Sequence, residues 1–219
     1  MQNMRKGERK KQDILLAAAD LFAQKGYTET TIADILDRLA CSKGSFYHHF
    51  DTKFAVLAEL ARQRASQAYA TYIKSLPAGN PLAALNLLLY RASFLNPQSR
   101  DLVMSLRSLQ QDFEGAALLN TMQTAVVNAF YPQFVSLLDN LRKADLAVYL
   151  NQESLNLAFH SFLSGCKILM LITDEQRGTR QSLLRALRRH LEQALGLSPG
   201  AIVILEMDEL TAFFDKPNA

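Results

Sequence analysis

Apolar residues recur three and four apart along most of the chain, the spacing that puts them on one face of a helix. Ile14, Leu15, Ala18, Leu21 and Phe22 predict a first helix over about residues 8–25. Gly26 follows as a plausible C-cap, because glycine enters the left-handed region without a Cβ clash. Ile32, Ile35, Leu36 and Leu39 predict a second, short helix, with Thr31 as N-cap and Asp34 in the first turn to complement the dipole. A tight turn at Ala40 and Cys41 leads to Ser42, the N-cap of a third helix. There Phe46 and Phe50 fall four apart and share a buried face, while Lys43, Ser45, Tyr47, His48 and His49 offer donors outward. The last two helices make a helix-turn-helix.

The rest of the chain also reads as helix. Phe54, Leu57, Leu60, Ala61, Ala65, Ala68, Tyr69, Tyr72 and Ile73 keep helical spacing up to the break at residues 77–81. Further helices are predicted over 82–95, 99–113, 116–143, 153–172 and 180–195, with Pro132 expected to kink or restart the third of these. The segment 153–172 is apolar nearly all round in its second half and is expected to be buried on more than one side. In 180–195, Leu184, Leu187, Leu191, Ala194 and Leu195 form one stripe, while Arg185, Arg188, Arg189 and Glu192 fall away from it. Residues 201–205 favour strand by propensity, but a final helix over about 199–215 is the expectation for the tail.

A short helix with an aromatic anchor and a donor-rich outer face suits a DNA major groove. Phosphates accept hydrogen bonds from Lys, Ser, Tyr and His. Core packing and solvated histidines would explain the same residues separately, so the surrounding pattern matters. From Ala18 to Leu57 the chain resembles the TetR family of transcriptional regulators. The likeness is carried by Ala18, Leu21, Phe22, the Lys25-Gly26-Tyr27 run, Thr30-Thr31-Ile32, Ile35, the run from Ser42 to Phe50, Lys53 and Leu57. It departs from the family at Leu36 and Leu39, where Ala is usual, and at Ala40, where the turn usually has Gly.

The resemblance implies an all-α protein. A three-helix, homeodomain-like helix-turn-helix unit would occupy residues 1–53, and a helical effector-binding and dimerisation domain 54–219. It implies that Thr31 bonds a phosphate, that Lys43, Ser45, Tyr47 and His49 hold the recognition helix in the groove, and that Lys53 meets the DNA backbone again. Gly44 would allow close approach, and His48 is a candidate phosphate or base-edge contact. It also implies a homodimer on a palindromic operator, with Phe162, Leu184, Leu187, Leu191 and Leu195 at the interface. An ordinary intramolecular helical hairpin is the alternative for that stripe. An apolar effector pocket would draw on Tyr69, Tyr90, Phe94, Phe113, Phe130, Tyr131 and His160, with plain core packing as the alternative for each.

Charge and composition narrow this further. Of 219 residues about half are apolar, ample for a core, and the net charge is only +3, so the chain is not a generic polycation. Basic residues concentrate at Arg5, Lys6, Arg9, Lys10 and Lys11, which fit an arm attracted to the DNA backbone or a solvated tail. Two cysteines far apart, Cys41 and Cys166, make no disulfide framework and suit a reducing cytoplasm. No run is read as a membrane span, the best being residues 168–172. There is no Gly-rich phosphate loop, no His-Glu-x-x-His and no paired-Cys motif, so neither enzyme, metal site nor cofactor is expected. The partners expected are double-stranded DNA, a small hydrophobic or aromatic effector and a second copy of the chain. The competing reading is a helical small-molecule or partner-binding protein that has lost DNA recognition.

Overall fold

A computed structural model describes residues 6–95, 99, 113–172 and 177–204. Among these it shows eight α-helices and no strand: α1 (Lys6–Lys25), α2 (Ile32–Leu39), α3 (Lys43–Tyr47), α4 (Lys53–Lys74), α5 (Pro81–Ala92), α6 (Phe113–Lys143), α7 (Gln152–Leu171) and α8 (Arg177–Ala194). The chain divides into two compact units, Met1–Arg64 with Met104–Met122, and Ala65–Val103 with Gln123–Ala219. The helix expected over 99–113 and most of the tail lie outside the described residues.

In the first unit local chemistry sets each helix end. α1 begins at Lys6, two residues before the expected start, so Arg9, Lys10 and Lys11 are helical. Gly7 and Glu8 do not stop the helix, and the apolar stripe of Ile14, Leu15, Ala18, Leu21 and Phe22 is buried along it. The chain leaves α1 through Gly26 at φ 83°, whose N–H bonds Phe22 O at 3.0 Å. Thr31 caps α2 in a reciprocal box: its hydroxyl accepts from Asp34 N, and the Asp34 carboxylate accepts from Thr31 N. α1 and α2 pack on each other, with Ile35 and Leu36 buried.

The turn after α2 is where the chain departs from glycine. Ala40 sits at φ 45°, ψ 47°, and the Ala40 and Cys41 N–H groups return to Asp37 O and Leu36 O. The left-handed position demanded by this turn is held by an L-residue with a Cβ, at a cost of about 1–2 kcal/mol. Ala40→Gly should therefore stabilise the protein by about 1 kcal/mol, roughly 2–4 °C in Tm for a chain of this size. A calorimetric Tm that stays the same or falls would mean that the turn relaxes away from this geometry.

The second unit is a helical assembly whose parts are fastened at named points. α6 continues through Pro132 as one helix and does not restart there; the ring removes the N–H that would bond the carbonyl of Asn128. α7 is capped by Asn151 and Ser154 in a second reciprocal box. By length and composition α7 would pass as a membrane span, but half of it is buried in the protein, which is the environment of a core helix. α7 and α8 pack together closely at Gly165, where a Cβ would lie 2.7 Å from Leu187 Cδ1.

Residues 199–204 do not begin a helix. The buried Glu192 carboxylate accepts from Gly200 N at 2.9 Å and Ile202 N at 3.1 Å. Asn86 on α5 donates to Ala201 O at 2.9 Å and accepts from Val203 N at 2.7 Å. With backbone groups satisfied by these two side chains and with Ile202 and Ile204 buried, the segment is a turn followed by irregular backbone.

Candidate functional site

Ser42 opens α3, its hydroxyl accepting from Ser45 N at 3.4 Å. At five residues α3 is too short to persist alone. It is held instead by Phe46, fully buried, whose ring lies 6.2 Å from that of buried Phe50 and edge-on to Tyr47 at 5.5 Å. The opposite face is open. Lys43, Gly44, Tyr47 and His48 are exposed, and Ser45 and His49 are half-buried. A Cβ on Gly44 would meet nothing within 4 Å in the protein itself. The exposed groups are all donors or backbone, and none is a carboxylate, so the face can take phosphate oxygens and base edges.

Around α3 the other donors fall into place differently from one another. His49 lies beside the first turns of α1: Cε1 would be 4.0 Å from a Cβ at Gly7. Partial desolvation, and then the charges of His48, Lys11 and Lys10, lower its pKa from the ordinary imidazole value. His48 stacks edge-on to it at 4.8 Å. Lys10 and Lys11 on α1 thus lie near enough to act on His49, just beyond α3. Thr31 is exposed, but its hydroxyl also donates to Asp34 Oδ2 at 2.7 Å. That carboxylate lies 2.6 Å from Lys25 Nζ, and the Lys25 hydrogen bond, followed by those from Thr31, holds it well below the usual carboxylate range.

Lys53 is where geometry and expectation part. Its ammonium is not presented outward as a ready phosphate donor: it bonds the carbonyls of Tyr27, Thr28 and Thr30. No sequence signal marks this, because the acceptors are main-chain oxygens of a distant loop.

Residues 14–60 match the family model described as "Bacterial regulatory proteins, tetR family". Over these residues the chain is similar to that family. The chain is 38% identical over 93 residues to the HTH-type transcriptional repressor KstR2 of Mycobacterium tuberculosis, covering 42% of this chain and 44% of that one. The part shared with such relatives spans less than half of their length. At the level of fold the chain is similar to Salmonella enterica GusR, with TM-score 0.59, 18% identity and coverage of 89% of this chain and 100% of that one. It is also similar to FadR of Bacillus subtilis, solved in complex with stearoyl-CoA, with TM-score 0.54, 16% identity and coverage of 84% and 97%. TetR-family proteins are helix-turn-helix transcription factors and not enzymes.

The aromatic residues expected around an effector divide into groups in the second unit. Tyr69, Phe130 and the fully buried Tyr72 stack mutually, Tyr69 edge-on to Phe130 at 5.3 Å. Tyr131 joins Phe134, Phe159 and Phe162 in a second cluster, and its hydroxyl accepts from Gln152 Nε2 at 3.0 Å. Tyr90 lies under the Arg91 guanidinium, Phe94 is buried at φ 58°, and His160 is half-buried. Phe113 heads α6, and its side chain lies outside the described residues. Tyr72 stands out. Its hydroxyl is buried beside the Gln133 side chain, and burial, then Tyr69, pushes its pKa up to about 12 against the opposing effect of Gln133.

The stripe expected at a dimer interface is filled inside one protomer. Phe162, Leu184, Leu187, Leu191 and Leu195 are all buried without a partner chain. The amphipathic pattern located a buried face correctly, but α7, α8 and their neighbours within the chain occupy it. The outward face of α7 carries Leu157, 69% exposed, and Ile168, 51% exposed, with Ser161 and Ser164 at the intervening turns.

Proposed function

We propose that the chain is a ligand-responsive transcriptional repressor that binds a palindromic operator as a homodimer in the cytoplasm. The observation carrying this reading is the helix-turn-helix, with α3 anchored by Phe46 and its outer face composed of donors. Lys43, Ser45, Tyr47, His48 and His49 supply contacts to phosphates or base edges, Gly44 permits close approach, and Thr31 adds a contact at the start of α2. Residues 1–53 read DNA, and 54–219 bind effector and partner subunit. A single five-residue recognition helix covers little DNA, and a two-fold dimer doubles the contacts.

The effector is a small hydrophobic or aromatic molecule. Tyr69, Tyr72 and Phe130 offer ring faces, and the buried Tyr72 hydroxyl beside Gln133 is a polar group that a polar atom on the ligand would meet. That FadR has been solved with a long-chain acyl ligand fits an apolar effector on this fold. Release of DNA requires that the effector bind the DNA-incompetent form more tightly, since equal affinity for both forms shifts nothing.

The test is selection of duplex DNA from a random-sequence pool, followed by titration of selected and scrambled duplexes across a salt series. Selective binding with a steep negative dependence on salt is the expected result. Lys43→Ala and Tyr47→Phe should weaken selected and scrambled DNA alike if they hold phosphates, and Lys43→Ala should flatten the salt slope by about 0.9. Absence of any selected sequence, even at low salt, would favour the helical binding protein without DNA recognition.

A further inference from the structure

The helix-turn-helix starts at Thr31 and ends at the first residue of α4, and its two ends meet at one ammonium group. Lys53 Nζ donates to Tyr27 O at 2.8 Å, Thr30 O at 2.8 Å and Thr28 O at 3.3 Å. It also stands 4.1 Å from the centroid of the Tyr27 ring. An ammonium carries three hydrogens, and three carbonyl oxygens of one loop converge to receive them. The acceptor side is rigid. Tyr27 is buried with its ring 5.2 Å from that of Phe22. Thr30 is buried too, and its hydroxyl donates to Gly26 O at 2.7 Å.

A lysine in this place is not explained by its own helix. The N-terminal end of α4 has the same sign as the cation, so the helix dipole opposes a positive side chain there. The carbonyl cage and the Tyr27 face supply the stabilisation that the helix does not. The consequence is topological. With Thr30 fastened to Lys53, residues 31–52 form a closed loop that contains α2, the turn at Ala40 and α3. The entry of α2 and the entry of α4 cannot separate without breaking charge-assisted hydrogen bonds.

We propose that Lys53 is a positioning residue for DNA recognition: it clasps the two ends of the helix-turn-helix together and so fixes the angle at which α3 is presented, without itself bonding a phosphate. This rests on the DNA-binding function proposed above, for which Lys53 was expected to meet the backbone directly.

The experiment compares wild type, Lys53→Met and Lys53→Arg in the full chain, on a duplex selected by the wild type. Binding is measured across a salt series, well below each variant's Tm and corrected for active fraction by stoichiometric titration. Lys53→Met keeps the stem over Tyr27 and removes the donors. It is expected to bind at least about tenfold more weakly, the equivalent of one charge-assisted hydrogen bond, with the salt slope unchanged. Lys53→Arg keeps the charge and the reach to a phosphate, but a planar fork cannot aim at three converging carbonyls, so it should fail to restore affinity. A slope flattened by about 0.9 in Lys53→Met, or full affinity in Lys53→Arg, would identify a direct phosphate contact and overturn the proposal. Wild-type affinity in a folded Lys53→Met would overturn it as well, leaving the clasp a matter of stability alone. If Lys53→Met does not fold, Lys53→Arg decides. Should the wild type select no DNA, the functional reading fails, and amide hydrogen exchange over residues 27–34 judges the clasp by itself: faster exchange in the variants supports it, and unchanged exchange removes it.

Discussion

Phe46→Ala should abolish sequence-selective DNA binding and destabilise the N-terminal unit by about 3–5 kcal/mol, the range for deleting a fully buried phenylalanine. Phe46 has no exposed surface, and its ring touches Phe50 on the next turn. Two losses add. The removed ring forfeits its transfer free energy, and a cavity stays where α3 sat, because a five-residue helix has no internal means of holding its place. The donor face formed by Lys43, Tyr47 and His48 would then be presented over a range of angles, although none of those residues has been altered. Tyr47→Phe is the matched control: its side chain is 51% exposed, so it should lose a contact and keep its stability. Denaturant unfolding followed by operator titration separates the two. A folded Phe46→Ala protein that binds the operator normally would show that α3 is positioned by something other than its aromatic anchor.

Much of this unit was legible in the sequence because its elements are marked by short-range chemistry. Thr31 with Asp34, Ser42 with Ser45, and Gly26 after Lys25 each act over three or four residues, within the reach of a pattern. The left-handed turn at Ala40 could be anticipated from the place glycine usually takes. What the sequence could not display is the far end of a long-range bond. Lys53 is visible as a basic residue at a helix start, which reads as a DNA contact. Its actual acceptors are carbonyl oxygens 23 to 26 residues away, which every residue type carries alike. The start of α1 lies two residues before the expected one. The good helix propensity of Lys lets α1 begin at Lys6, ahead of the apolar stripe from which the helix was read.

In the second unit, periodicity found the helices and their buried faces but could not say what buries them. The stripe from Leu184 to Leu195 fits equally a dimer interface and an intramolecular hairpin, because apolar surface is removed from water in the same way by either. Gly165 holds the deciding information in retrospect. A glycine inside an apolar helix, otherwise unfavourable by about 1 kcal/mol, makes sense as the site of a close approach, and Leu187 is what approaches. The irregular segment 199–204 was missed because its hydrogen bonds go to side chains, Glu192 and Asn86, and such pairings leave no periodic trace.

Leu187→Glu is accordingly expected to unfold the second unit, with a loss of about 4 kcal/mol or more, and not simply to yield a folded monomer. Leu187 is buried against Gly165, with its Cδ1 and Cδ2 at 2.7 and 3.0 Å from a hypothetical Cβ there. A carboxylate in that place loses hydration, and it interrupts the packing of α7 on α8 at Gly165. The outward stripe behaves differently. Leu157 and Ile168 are more than half exposed, so Leu157→Glu with Ile168→Glu should leave the Tm within about 1 kcal/mol of stability of the wild type. If the proposed dimer uses this face, the same double variant should sediment as a monomer, since two like charges from each subunit would meet across the two-fold axis. A double variant that remains a dimer would move the interface elsewhere. A Leu187→Glu protein that is folded and monomeric would instead mean that the buried stripe opens to receive a partner, and that the hairpin of α7 and α8 is completed between subunits.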